Sequence, residues 1–114
     1  MWTEEDTEVL QIANRVRQVL CKRDPDLYSN FMESPYQSPP LKQRVGDYEL
    51  CAYKSGEMLI RDMAPEAGYP REVFRLMPLQ AKSRPNCRWN KDLIREKVVP
   101  AMDAEMVLDD LSLL

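Results

Sequence analysis

The sequence predicts an α+β fold: a small, helix-rich single domain over residues 1–114, in which one β-hairpin is packed by helices. Three patterns carry this expectation. A helical apolar period runs through residues 3–23, two apolar and aromatic runs flank the pair Ser55-Gly56, and residues 100–114 are amphipathic. A chain of 114 residues that is 44% hydrophobic can bury one core without disulfides or a structural metal.

TEEDTEVLQIANRVRQVLCKR, residues 3–23, reads as a helix with Thr3 as its N-cap. The acids of its first turn suit the positive end of the helix dipole, and Lys22 and Arg23 suit the negative end. Val9, Ile12, Ala13, Val16, Val19 and Leu20 form its apolar face, and Asp24-Pro25 ends it. From Asp24 to Arg44 the chain holds Pro25, Pro35, Pro39 and Pro40 and shows no sustained period, so it reads as a connector, flexible over about 33–44. Leu27, Tyr28, Phe31 and Met32 fit one further turn of helix packed on the first.

VGDYELCAYKSGEMLIRDM, residues 45–63, is expected to form the hairpin. A two-residue loop at Ser55-Gly56 would set Tyr53 against Met58 and Cys51 against Ile60 on one side, with Tyr48, Leu50, Ala52, Leu59 and Met63 on the other. Both faces are then apolar, so the hairpin either lies between helices or offers a face to another chain. An all-α fold is the alternative, with Ser55-Gly56 as a helix break. YPREVFRLM, residues 69–77, suits a short helix begun by Pro70 and ended by Pro78. A further helix begins near Asn90, Pro100 interrupts it, and an acidic amphipathic helix follows over about 100–114, with Ala101, Ala104, Val107, Leu108, Leu111 and Leu114 on one stripe.

Charge falls in blocks. Residues 1–66 carry 8 basic and 12 acidic side chains, residues 67–97 carry 8 and 3, and residues 98–114 carry none and 4. The net charge of −3 opposes general attraction to phosphate backbones or anionic membranes, so any basic function must be local. No histidine is present, which removes the commonest general base and metal ligand together. Cys21, Cys51 and Cys87 are too widely spaced for a zinc set or a redox pair, and three glycines make no phosphate loop. These residues point to no catalytic centre, cofactor or metal. No secretory signal or membrane span is visible, and an intracellular setting, cytoplasmic or nuclear, is expected.

The functional expectation is therefore a non-enzymatic protein–protein interaction module, an adaptor or regulatory subunit of an intracellular complex, in its simplest version self-associating as a homodimer. Its expected contact residues are Tyr53, Met58 and Ile60 on the hairpin and Val107, Leu108 and Leu111 on the tail stripe. The basic surface of Arg84, Arg88, Lys91 and Arg95 would steer an acidic partner or complement the protein's own tail. The alternative is a small nucleic-acid-binding protein in which those cations grip phosphates and Trp89 stacks on a base. Against that use, an aromatic at a helix start more often anchors a core. Ser34-Pro35 and Ser38-Pro39 are candidate phosphorylation sites in the connector.

Overall fold

The computed structural model describes residues 2–68 and 70–112, without the side chains of Ala67 and of residues 108–112. It is an α+β fold, as the sequence predicts. Helices α1 (Glu4–Arg23) and α2 (Pro25–Glu33) precede a five-stranded antiparallel meander. Its strands are β1 (Leu41–Val45), β2 (Tyr48–Ala52), β3 (Met58–Asp62), β4 (Arg71–Leu76) and β5 (Cys87–Trp89), hydrogen-bonded in that order. A closing rod follows: α3 (Lys91–Leu93), a π-helical stretch (Ile94–Val98) and α4 (Val99–Ser112).

Helix α1 begins in a reciprocal capping box. The Thr3 hydroxyl accepts from the Asp6 N–H at 3.2 Å, and the Asp6 carboxylate accepts from the Thr3 N–H at 2.9 Å. The apolar face expected from its period is buried in full, each large side chain contributing about 1.5–3 kcal/mol. Asp24 does two jobs at the junction: its N–H bonds the Leu20 carbonyl to close α1, and its side chain accepts from the Leu27 N–H to open α2. Phe31 is buried on α1, whereas Leu27 and Met32 point outward.

The hairpin exists, but its register differs from the expected one. Leu50 pairs with Ile60 and Ala52 with Met58, and the Tyr53 N–H reaches the Glu57 carbonyl at 2.9 Å. The loop is thus Lys54-Ser55-Gly56, with Gly56 at φ +98, where a three-residue hairpin takes glycine. This one-residue slip exchanges the pairings. Leu50, Ile60, Ala52 and Met58 face the helices together, and Tyr53 lies with Cys51, Glu57 and Leu59 on the side away from them.

Two cross-strand rows build most of the sheet's share of the core: Leu41, Ala52, Met58, Leu76 and Cys87, and beside it Leu50, Ile60, Phe74 and Trp89, with Val45 and Val73 buried outside the rows. On the far face Cys51 and Leu59 are also buried, beneath the ion pairs Glu49–Arg61 at 3.0 Å and Glu57–Arg75 at 2.7 Å. Long charged side chains can shield apolar surface in this way. The second apolar face needs neither a second helix layer nor another chain.

Three elements depart from the sequence expectation. Residues 71–76 form β4, not a helix. A bulge opposite Ile60 and Arg61 inserts Val73, so Val73, Phe74 and Leu76 are all buried and the period of two is lost from the sequence. Part of the expected flexible connector is β1, an edge strand whose Lys42, Gln43 and Arg44 hide any apolar alternation. It joins β2 through Gly46, at φ +59, and Asp47. Pro100 does not restart a helix. The π-helical stretch just before it loosens the backbone where the proline ring would meet the Glu96 carbonyl, and the rod runs on. Its inner face is then the row Ile94, Val98, Met102 and Met106, and Ala104 and Val107 point outward.

Candidate protein-docking groove

The expected basic surface is mostly occupied by the protein's own carboxylates. Arg84 makes a bidentate pair with Asp6, at 2.8 and 3.3 Å, and Arg95 makes another with Glu8, at 2.8 and 2.7 Å. The Lys91 ammonium lies 2.7 Å from Glu5, which also accepts from the Trp89 indole N–H at 3.3 Å. Among the described residues, the acid that the basic segment complements is thus the first two turns of α1, not the tail. The acidic rod is in turn tied to the other end of α1 by Arg15–Asp103 at 3.1 Å, by Arg23–Glu105, and by the Lys22 ammonium on the Met106 carbonyl at 2.7 Å.

Trp89 is an anchor. Its ring meets Phe74 edge-on at 6.4 Å and carries the Arg95 guanidinium 5.3 Å from its centroid. Of the four expected cations, only Arg88 has no ion-pair or hydrogen-bond partner among the described residues. It flanks a depression of about 350 Å³ with Glu72, Arg75, Met77 and Asn86.

Hydrogen bonds from Arg84, Lys91 and Arg95 hold the carboxyls of Asp6, Glu5 and Glu8 below their ordinary values of 3.8, 4.5 and 4.5. A carboxyl depressed in the folded state stabilises the fold above its unfolded pKa, and that contribution fades as pH falls through the folded value. The midpoint of urea unfolding should therefore hold from neutral pH to about 5 and decline below it. The decline should be shallower in a chain carrying Arg84→Gln and Arg95→Gln. An equal decline in both chains would show that the clamp contributes nothing to the pH dependence.

The expected contact residues scatter. Met58 and Ile60 are enclosed in the core, at 2% and 0% exposure, and present no surface to a partner. β2 and β3 are both central strands, so the hairpin has no free edge for self-association. Tyr53 is half-buried at the β2–β3 loop beside Gln37, Ser38 and Lys54. Val107 is exposed on α4; the side chains of Leu108 and Leu111 lie outside the described residues, as does Leu114. Burial pushes the thiols of Cys51 and Cys87 up to about 11 and about 12, which leaves both poor nucleophiles.

One apolar concavity is built where the sequence reading places a turn of helix followed by a connector. It holds about 640 Å³ between α2 and β1. Leu27, Asn30 and Phe31 form one wall, Pro39, Pro40 and Leu41 the other, and Lys42 is the only charged residue in its lining among the described residues. Ser34 and Ser38, the two Ser-Pro serines, stand on its rim. Leu27, in its lining, is 47% exposed. β1, which supplies Leu41 and Lys42 to the lining, is an edge strand of the sheet. The missed signal was local: large apolar side chains among prolines, in a segment too short and irregular to bury them.

Comparison of the chain with protein-family models, with curated proteins and with solved structures found no match. Among the described residues, no helix is long and apolar enough to cross a membrane.

Proposed function

We infer that this protein is a non-enzymatic interaction module that receives an extended, apolar peptide segment bearing an acidic residue, in the groove between α2 and β1. The observation that carries this reading is the apolar cavity at the start of β1, an edge strand of the sheet. An edge strand offers main-chain N–H and C=O groups to an added strand, and adjacent pockets then read alternate side chains. Lys42 in the lining and Arg44 two residues along the edge give the peptide's acid its complement. The Arg44 carbonyl already accepts from Arg23 at 3.1 Å, so added pairing would centre on Lys42. The absence of histidine and the suppressed thiols favour binding over catalysis. A nucleic-acid grip is the poorer fit, because it would have to break three ion pairs to α1 to free Arg84, Lys91 and Arg95.

The test is Leu27→Asp. Leu27 is the third residue of α2, where an acid suits the helix dipole, so stability should change by no more than about 0.5 kcal/mol. Partner affinity should fall by about thirtyfold, the cost of a hot-spot residue of about 2 kcal/mol. A photoreactive residue at position 27 should cross-link the partner through an extended apolar segment, and one at Gln18, which lines a separate depression with Arg15 and Asp103, should not. Equal cross-linking at both positions, or undiminished affinity in Leu27→Asp, would overturn the reading.

A further inference from the structure

We propose that Ser38 is a phosphorylation site for a proline-directed serine/threonine kinase, its phosphate held between Lys42 and Lys54 at the mouth of the groove. Three observations separate it from the neighbouring Ser34. Ser38 stands between two depressions: on one side it shares the groove lining with Lys42, on the other it shares a smaller hollow with Lys54, Tyr53 and Gln37. A phosphate there meets a lysine on either flank. Ser34 instead caps the C-terminal end of α2 directly after Glu33, where helix dipole and carboxylate both repel added negative charge.

The second observation concerns the hydroxyls themselves. The Ser34 Oγ accepts from the Tyr36 N–H at 3.2 Å and so braces the turn out of α2. The Ser38 Oγ has no hydrogen-bond partner among the described residues and is free to act as nucleophile. Third, residues 35–37 before it are exposed and carry no regular structure, and Pro39 follows directly, so a kinase can take Ser38 in extended form. In the transfer the Ser38 Oγ attacks the γ-phosphorus of ATP. The P–O bond to ADP breaks, ADP leaves with its electron pair, and the hydroxyl proton passes to the kinase's base.

The product carries up to about two negative charges on the groove's rim. It neutralises Lys42, the groove's own charged residue, and repels an acidic peptide. Modification of Ser38 therefore closes the groove to its occupant. That consequence rests on the docking reading above; the site and the lysine clasp do not.

The experiment needs no partner. The full chain carrying Ser34→Ala is incubated with a proline-directed kinase and ATP–Mg²⁺, and the product is mapped by mass spectrometry and titrated by phosphorus-31 NMR. Ser38 should carry the phosphate. Its titration midpoint in the folded chain should lie about half a unit or more below that of the same phosphoprotein unfolded in urea. Lys42→Gln with Lys54→Gln should bring the two midpoints together. No phosphate at Ser38, equal folded and unfolded midpoints, a midpoint indifferent to the lysine substitutions, or unfolding of the product by circular dichroism would each overturn the proposal. Failure of Leu27→Asp to affect a partner would remove the docking reading and leave these results standing.

Discussion

Phe74→Ala is expected to lower the free energy of unfolding by about 3–5 kcal/mol, the usual cost of emptying a buried aromatic site. Phe74 has no exposed surface. It stands at the middle of β4 and pairs with Ile60 on one side and Trp89 on the other. Removing the ring takes away the edge-to-face partner of Trp89, and Trp89 in turn supports Lys91 and Arg95, whose carboxylate partners lie on α1. The loss therefore propagates from the sheet to the clamp. A 114-residue domain has about 5–15 kcal/mol in all, so the variant should unfold at a much lower urea concentration. A midpoint shift corresponding to less than about 1 kcal/mol would mean that Phe74 sits in a peripheral element.

Ile60→Asp should have a larger effect, with loss of the folded state under ordinary conditions. The substitution leaves a cavity at a fully buried position and places an unpaired carboxylate in the central strand, each costing several kcal/mol. The same substitution separates two pictures of the hairpin. Were Ile60 an exposed contact, Ile60→Asp would leave the circular dichroism spectrum intact and abolish binding. The fold places it between Leu50 and Phe74, so spectrum and binding should vanish together. A folded variant with normal thermal unfolding would contradict this core.

Much of the fold is legible in the sequence because its signals are local. Thr3 and Asp6 announce the start of α1, the apolar face from Val9 to Leu20 follows a single period, and Asp24-Pro25 both ends one helix and begins the next. The hairpin is marked by Gly56 between two apolar runs. What misled the reading was every place where a long-range partner altered a local pattern. The bulge at Val73 exists to fit β4 onto β3, and it erases the alternation that would identify a strand. β5 is three residues long and is recruited by β4, not by its own composition. The groove requires α2 and β1, whose facing residues Leu27 and Leu41 lie in different elements joined by prolines.

The sequence by itself determined the α+β class, the first helix with its caps, the existence of the β2–β3 hairpin and the placing of charge in blocks. Each of these depends on neighbours within a few residues, where propensity, capping and period act directly. Only the tertiary structure decided which face of the hairpin is core, which acids receive the basic segment, and that Ser34 and Ser38 share the rim of one apolar groove. Those outcomes depend on register and on which elements meet. A one-residue shift in pairing reverses a strand's faces, and the partner of a long charged side chain is set by packing far away in sequence. Arg84 and Asp6 lie 78 positions apart in the chain, and only the fold brings them to 2.8 Å.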